Sequence, residues 1–329
     1  MKKETFITCK RRQLGLSLIE LMVALVIGLL LLGGLIQIYL SNKQSYNAQE
    51  QLARMQESGR FAMDLITRDL RRAGYWGGNV DLTVITGNPG PADPNHECTT
   101  GDNSWGRMVN WRVSGVNNGP GDYDCAGDHV AGTDILAVRY ANSETLDPAP
   151  ATADLFVRST MFRSRVMTGE WAGNSENLIP PEDPTTPAHL RSVVRQLVAH
   201  GYYIGDSGQV CPGGQTIPAL RRIRLEAGTP VTEMVASGVE QLQVRYLVND
   251  PATNTRIYRD AQFVDAMDGD AWRRVEAVRI WLLVRGVCPE PGLANNMTYT
   301  MGDLDLTVND NFRRQLYIST VMLRNTVVR

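Results

Sequence analysis

Residues 15–40 read GLSLIELMVALVIGLLLLGGLIQIYL, and this stretch decides the organisation of the chain. Glu20 is its only charged residue, and residues 21–36 carry no polar side chain. A helix over residues 16–40 would be roughly 37 Å long, enough to cross a hydrocarbon core of about 30 Å. Five basic residues lie before it: Lys2, Lys3, Lys10, Arg11 and Arg12. This charge bias predicts a cytoplasmic N-terminus, with the remainder of the chain on the other side of the membrane.

Two ordinary kinds of membrane segment do not explain this stretch. A cleaved secretory signal ends in a small-residue site, whereas the residues after Leu40 read SNKQSYNAQEQLARMQ. A permanent anchor explains the length and the orientation but not Glu20, because a charge at the membrane centre costs at least about 3 kcal/mol and usually marks a function. A subunit that is stored in a membrane and then packed into a filament explains both features.

The hexapeptide Gly15-Leu16-Ser17-Leu18-Ile19-Glu20 resembles the cleavage motif of type IV prepilins, which has a glycine before the cut and a glutamate at the fifth mature position. The resemblance implies that a membrane-embedded prepilin peptidase cuts between Gly15 and Leu16 on the cytoplasmic face. It also implies that the enzyme methylates the new amine of Leu16. The family usually has Phe at the first mature position, so Leu16 departs from its pattern. Residues 1–15 are then a cleaved leader, and residues 16–40 are a transmembrane and filament-core helix.

The cleavage motif implies a role for Glu20 in assembly. Cleavage creates an α-amino group with a reference pKa of about 7.7 to 8, so it is mostly cationic at neutral pH. In a filament core of low dielectric constant, an unpaired carboxylate is costly and a paired one is tolerable. We therefore expect Glu20 to pair with the amine of a neighbouring subunit and to set the axial register.

The helix is predicted to continue beyond Leu40, because residues 41–72 contain no proline and are rich in good helix formers. Apolar residues recur three and four positions apart, with a gap at Ser58-Gly59: Leu52, Met55, Ala62, Leu65, Ile66 and Leu70. This is the stripe of an amphipathic helix that packs on a globular domain. Arg68, Arg71 and Arg72 are expected on its solvated face. We predict this helix over 41–76 and a globular domain over 77–329.

The globular domain is predicted to be rich in strands. Residues 88–132 resemble a loop, after which apolar and polar residues alternate at 135–140 and 241–248. In the second of these, Leu242, Val244 and the following apolar residues face one way, and the glutamines face the other. Long strands are predicted at 275–287 and 315–324. One long helix followed by many strands predicts an α+β fold, in which the helix lies on an antiparallel sheet with long loops that bear disulfides.

Three segments are similar to PilW-type minor pilins of type IV pili. They are residues 60–77 (RFAMDLITRDLRRAGYWG), 272–286 (WRRVEAVRIWLLVRG) and 312–325 (FRRQLYISTVMLRN). The resemblance implies a low-abundance, non-enzymatic pilin that helps to initiate the pilus in a priming or tip complex. Its partners would be other minor pilins and often a large tip adhesin. Two alternatives remain open: a J-type pseudopilin of a type II secretion system, and an enzyme tethered to the membrane in the periplasm.

Charge and cysteine content agree with a periplasmic structural protein. The chain has 33 basic and 35 acidic residues, and removal of the leader, with five basic and one acidic residue, leaves a net charge of −6. This argues against nucleic acid as a partner, because phosphate binding needs a concentrated basic surface. Cys9 lies in the leader, and four cysteines remain: Cys98, Cys125, Cys211 and Cys288. We predict two disulfides outside the cytoplasm, preferably Cys98–Cys125 and Cys211–Cys288.

Two motifs suggest other chemistry but are better explained as loops. Residues 205–208 (GDSG) match the tetrad around the nucleophile of trypsin-like proteases, yet the usual Gly-Pro does not follow and no histidine has a matching context. Asp122, Asp124 and Asp128 resemble the start of a calcium loop, but its fifth and twelfth positions are Ala126 and Thr133. We predict a turn and a solvated acidic loop, with a non-standard Ca²⁺ site as the alternative. No catalytic residue, cofactor or small-molecule substrate is predicted.

Overall fold

The computed structural model divides the chain into two compact units, Met1–Glu50 and Gln51–Arg329. The predicted boundaries at 40 and 76 remain predictions. The structure describes residues 15, 17–78, 85–87, 111–121, 123, 125–146, 154–160, 164–168, 192–226, 229–250, 255–267 and 270–325.

One long helix, α1 (Leu18–Arg72), runs through the apolar stretch and continues as predicted. It contains no proline, and Gly33, Gly34 and Gly59 all lie within it without interrupting it. The helix ends where Gly74 adopts a φ of +75°, a backbone conformation that glycine enters without steric cost. By length and composition, α1 is apolar enough to cross a membrane.

The larger of the two main sheets has eight strands among the described residues, in the order β1-β5-β4-β6-β3-β2, with β7 beside β6 and β8 beside β7. The long strand β6 pairs with β4, β3 and β7 and therefore holds this sheet together. The pairing is antiparallel except between β1 and β5. The bounds are β1 (Ile85–Gly87), β2 (Val113–Val116), β3 (Ile135–Ala141), β4 (Leu155–Ser159), β5 (Ser164–Thr168), β6 (Val193–Val210), β7 (Thr216–Glu226) and β8 (Thr229–Ser237).

The second sheet is antiparallel with four described strands in the order β10-β9-β11-β14, and a separate hairpin, β12–β13, packs on its outer face. A short helix, α2 (Ala261–Met267), and a 3-10 turn (Ala271–Arg274) connect β10 to β11. The bounds are β9 (Val239–Asp250), β10 (Thr255–Arg259), β11 (Val275–Arg285), β12 (Thr298–Met301), β13 (Leu304–Thr307) and β14 (Arg314–Met322).

The main hydrophobic core lies between the second half of α1 and the two sheets. Met55, Ala62, Ile66 and Leu70 supply the helix side of this core. The larger sheet contributes residues of β3, β6 and β7, and the smaller sheet contributes the inward residues of β9, β11 and β14. The predicted α+β fold, a helix on antiparallel sheet, is confirmed.

Three details differ from the predictions. Strand β2 lies inside the stretch 88–132 that the composition suggested was a loop, because Val113 joins the main core although the strand is only four residues long. Gln243 is fully buried although it alternates with apolar residues, because the β12–β13 hairpin and the loop before β3 cover that face. The gap in the apolar stripe at Gly59 is a packing contact, since its Cα faces the ring of Tyr317.

Candidate functional site

The N-terminus of α1 is closed by a capping box built from Ser17 and Glu20. The backbone N–H of Glu20 donates to Ser17 Oγ at 3.2 Å, and the backbone N–H of Ser17 donates to Glu20 Oε2 at 3.1 Å. This reciprocal pair satisfies donors that the first turn of a helix leaves without partners. Glu20 therefore has a local role that the sequence analysis missed, although the S-x-x-E spacing is the signal for it.

The apolar half of α1 is not covered by any other residue that the structure describes. The large apolar side chains from Leu18 to Leu40 are each 52–80% exposed, and no described residue from 17 to 50 is buried. An isolated apolar surface of this size is unstable in water. The segment therefore requires lipid or the helices of other subunits around it.

The opposite end of α1 is joined to the sheets by a buried carboxylate, Asp69. Its Oδ1 accepts a hydrogen bond from Tyr140 at 2.8 Å, and its Oδ2 accepts one from Tyr202 at 2.6 Å. His200 Nδ1 lies 2.5 Å from the same Oδ2. Burial alone would raise the pKa of Asp69, but these hydrogen bonds and the charge of His200 outweigh it and hold the pKa below its usual value. The three partners come from β3 and β6, so Asp69 fixes the helix to the larger sheet.

A second contact fixes the end of α1 to the end of β14. The side-chain amide of Asn325 donates to the carbonyls of Ala73 at 3.0 Å and Arg72 at 3.3 Å. The buried Arg112 donates in turn to the carbonyl of Asn325 at 2.9 Å and also to that of Arg273 at 3.1 Å. Orphan carbonyls at the helix end are thereby satisfied. Two of the segments singled out in the sequence, 60–77 and 312–325, therefore contact each other near their C-terminal ends.

Cys211 and Cys288 form a disulfide with their Cα atoms 5.6 Å apart, which is the pairing preferred from the sequence. It ties the turn between β6 and β7 to the segment that follows β11. Cys125 is also disulfide-bonded. Its predicted partner, Cys98, lies outside the described residues.

The two motifs considered for other chemistry have structural roles. Residues 205–208 form the irregular end of β6, where Ser207 Oγ accepts a hydrogen bond from the backbone of Gln209. Of the described histidines, His129 bonds to Thr133 and His200 to Asp69, so neither is placed on Ser207. Asp128 accepts hydrogen bonds from Tyr203 at 2.7 Å and from the backbone of Asp206 at 3.0 Å.

These hydrogen bonds of Asp128 hold its loop against β6. The other two residues of the candidate calcium loop, Asp122 and Asp124, lie outside the described residues. Among the described residues there is no group of three or more His, Cys, Asp or Glu side chains that could hold a metal ion. Gly15 is described and exposed, whereas Leu16 lies outside the described residues.

Two family models match parts of the chain with these features. Residues 10–36, which include the capping box, match the prokaryotic N-terminal methylation motif. Residues 201–325, which run from within β6 to the Asn325 contact, match the type IV pilus-assembly protein W, PilW. Together the two matches support a PilW-family minor pilin of type IV pili. The chain is a minor pilin that takes part in type IV pilus assembly.

Assignment to the PilW family explains the two-part architecture. Members are structural subunits and not enzymes, and the methylation motif implies processing by prepilin peptidase and assembly with other pilins. The apolar half of α1 fits anchoring in the inner membrane and later incorporation into the pilus. No curated protein matches the sequence of this minor pilin.

A solved structure, the type IV-like pilin TTHA1219 from Thermus thermophilus, aligns with 60% of this chain and 80% of its own at 12% identity. The TM-score of 0.27 is too low to support an argument about the fold.

Proposed function

We propose that this minor pilin acts at the start of pilus assembly, as one member of a priming or tip complex with other minor pilins and a large tip adhesin. The observation that carries the proposal is the exposed apolar half of α1, with Glu20 near its N-terminus, in a chain whose residues 51–329 form a compact unit of their own. Such a subunit can remain in the inner membrane until assembly, when helices of neighbouring subunits replace the lipid around the apolar half of α1. Its N-terminus would be cytoplasmic and its globular unit periplasmic, as the basic leader favours.

Assembly competence is proposed to begin with cleavage between Gly15 and Leu16. The methylated amine of Leu16 would then lie near the start of α1 of its own subunit and within reach of a neighbour. Glu20 would pair with the amine of that neighbouring subunit, since a carboxylate in a low-dielectric core is tolerable only when it is paired. The same carboxylate also takes part in the capping box, because Glu20 Oε2 accepts a hydrogen bond from the backbone N–H of Ser17.

A set of three variants separates these two roles of Glu20. Glu20→Ala removes both the cap and the charge. Glu20→Gln keeps a capping side chain, which the motif accepts, but removes the charge. Ser17→Ala removes the hydroxyl part of the cap and keeps the charge. The amount of each processed variant in the sheared pilus fraction is measured by immunoblot and normalised to its amount in the membrane fraction.

If Glu20 acts through its charge, Glu20→Ala and Glu20→Gln both lower incorporation at least tenfold while Ser17→Ala stays within about twofold of the wild type, since a tenfold change corresponds to about 1.4 kcal/mol. Incorporation of Glu20→Gln at the wild-type level would show that capping alone matters and would overturn the pairing. A Gly15→Val variant is the processing control, because it should stay at the precursor mass and outside pili.

A further inference from the structure

Strand β14 forms the open edge of the smaller sheet. Among the described strands it pairs only with β11. The register, together with the hydrogen bonds from Leu323 N to Glu276 O (2.9 Å) and from Gly286 N to Arg313 O (2.8 Å), shows which backbone groups face β11. In an antiparallel pair the groups alternate between the two sides of the strand. The N–H and C=O groups at positions 316, 318, 320 and 322 therefore point away from β11, toward the open side.

The outward face of this edge is apolar and exposed. Ile318 and Met322 are 58% and 59% exposed, and Thr320 between them is also exposed. Residues 315–322 (QLYISTVM) contain no charge and no proline. Proteins usually protect edge strands by charges, prolines, bulges or short length. Strand β14 is nine residues long and has no bulge in its pairing with β11. Its one charged residue, Arg314, lies at its start with a side chain only 2% exposed, so residues 315–322 lack all four protections.

Other edge strands of the same molecule are protected. Strand β8, which has the same length, contains Pro230 and Glu233 and pairs with β7 through a bulge. Strand β10 has only five residues and carries Arg256 and Arg259. The contrast shows that this chain contains the usual protections elsewhere and omits them at residues 315–322 of β14. An open, uncharged edge is what β-strand addition by a partner requires, because main-chain hydrogen bonds supply the affinity and alternate side chains the specificity.

Cations beside the edge indicate the charge of the partner. Arg60 of α1 lies close to Tyr317, and Arg324 follows the end of β14. Both are exposed, and in the described part of the chain neither forms an ion pair with a carboxylate. A second copy would bring its own Arg60 and Arg324 to the same edge, and like charges at an interface disfavour the pairing. Carboxylates on the incoming strand would be attracted instead.

We infer that the open edge of β14 receives an extended strand from a different pilin subunit, with alternate apolar residues flanked by acidic ones. The inference rests on the proposed function, since it assigns a surface to the contact between minor pilins. Strand addition would extend the smaller sheet from β14 outward and cover Ile318 and Met322. The side chain of Thr320 accepts a hydrogen bond from Arg279 at 3.0 Å, so a further cation lies beside the edge.

Hydrogen exchange at single-residue resolution tests the pairing directly. The full-length protein is co-expressed in a heterologous membrane with the epitope-tagged prepilins of the same bacterium, and the complex is purified in detergent. In the free protein the amides of Tyr317, Ser319 and Val321 are protected by β11, whereas those of Ile318, Thr320 and Met322 exchange rapidly. In the complex the second set should slow by at least tenfold while the first set changes little.

Variants at the edge provide the matched comparison. Thr320→Pro removes one outward N–H without breaking a bond to β11, which edge strands tolerate. Thr320→Ala removes the same side-chain contact but keeps the N–H. We expect Thr320→Pro, and separately the double variant Ile318→Lys with Met322→Lys, to lower co-purification of the partner at least tenfold. Thr320→Ala should stay within about twofold of the wild type, where tenfold is about 1.4 kcal/mol.

The outcomes distinguish the inference from the proposed function. If a prepilin co-purifies but the amides of Ile318, Thr320 and Met322 still exchange rapidly, the edge is not the contact and the inference is wrong while the proposed function stands. If the purified protein alone protects these amides as a dimer, the partner is a second copy and the inference is again overturned. If no prepilin co-purifies with the wild type, the proposed function itself fails. Unchanged thermal unfolding of each variant serves as the folding control.

Discussion

Asp69 shows how one buried side chain can determine the placement of a helix. It lies in the repeat of buried positions on α1, next to Leu70, where an apolar residue would be the usual choice. Its carboxylate is acceptable there only because Tyr140, Tyr202 and His200 all converge on it. Because the folded pKa lies below the reference value, this stabilisation is present at neutral pH and is lost as the pH falls through the folded pKa.

Replacement of Asp69 should therefore be far more damaging than replacement of an exposed acid on the same helix. We expect Asp69→Ala to lower the free energy of unfolding by about 3 kcal/mol or more, because it leaves two buried hydroxyls and an imidazole without their acceptor. The matched control is Asp64→Ala, which breaks only the exposed pair with Arg68 and should cost less than about 0.5 kcal/mol. Urea titration of both variants in detergent measures the difference, and equal losses would contradict the assigned role.

Asp134 illustrates the opposite direction of a pKa shift. Its carboxylate accepts hydrogen bonds from the backbone of Asn118 at 2.9 Å and of Val244 at 2.7 Å. Burial, with smaller contributions from the charges of Asp303 and Asp260, nevertheless raises its pKa to about 7. The folded state therefore binds a proton more tightly than the unfolded state. Its contribution to stability is complete below about pH 4 and is lost as the pH rises to about 7.

An Asp134→Asn variant should reveal this pH dependence. As the pH rises from 4 to 7, the free energy of unfolding of the wild type should fall relative to that of the variant. This holds whatever the variant's overall stability. Each unit of pKa shift corresponds to about 1.4 kcal/mol, so the change should be on the order of a few kcal/mol. Urea titrations at several pH values test this. Parallel pH profiles would show that Asp134 titrates normally.

At the scale of elements, α1 is held against β14 by a glycine. A Cβ at position 59 would overlap the ring of Tyr317, so only glycine allows the two elements to approach this closely. The gap in the apolar stripe at Ser58-Gly59 is therefore a site of close packing. The apolar stripe predicted the buried face of α1 correctly at Met55, Ala62, Ile66 and Leu70, whereas Leu52 is 36% exposed.

The packing of Gly59 predicts a coupling with Tyr317. We expect Gly59→Ala to lower the free energy of unfolding by about 1 to 3 kcal/mol, because the ring or the helix must move. In a Tyr317→Ala background the same substitution should cost much less, or stabilise by up to about 1 kcal/mol, since alanine is the better helix former. A double-mutant cycle by thermal or urea unfolding measures this coupling. Additive effects would show that the two residues do not share a packing contact.

Strands could be predicted where their own residues show a pattern. The alternation at 135–140 and 241–248 and the strands predicted at 275–287 and 315–324 correspond to β3, β9, β11 and β14. Strands β8, β10, β12 and β13 were not predicted, because β8 and β10 show no regular alternation and the alternation in β12 and β13 lasts for only four residues. Their existence depends on a neighbouring strand that supplies the hydrogen bonds.

At the scale of the whole molecule, the described residues form a helix with an uncovered apolar half and a globular unit with its own core. No described residue from 17 to 50 is buried, whereas Met55 onward contributes to the main core. The two parts can therefore serve different surroundings, lipid or filament core for one and the periplasm for the other. The Cys211–Cys288 disulfide lies entirely within the globular unit.

This separation predicts that the globular unit folds without the apolar half. A protein that begins at Gln51, exported to the periplasm, should keep its disulfide and unfold within about 0.5 kcal/mol of the full chain, the usual range for changes away from a core. A protein that begins at Met63 is the control, because it loses Met55, Gly59 and Ala62 and should be destabilised by about 2 to 5 kcal/mol. Equal stability of the two truncations would contradict the boundary of the core.

Features that depend on near neighbours along the chain could be predicted from the sequence alone. The Gly15–Glu20 motif, the apolar length of α1, its continuation to Arg72 and the alternation of the main strands are all local patterns, because helix and strand periodicity act over a few residues. Tertiary structure alone decided which distant groups meet: Asp69 with His200, Asn325 with the end of α1, and Gly59 with Tyr317. It also decided that β14 is an edge, because sheet order and register depend on which strands pair and not on the residues of one strand.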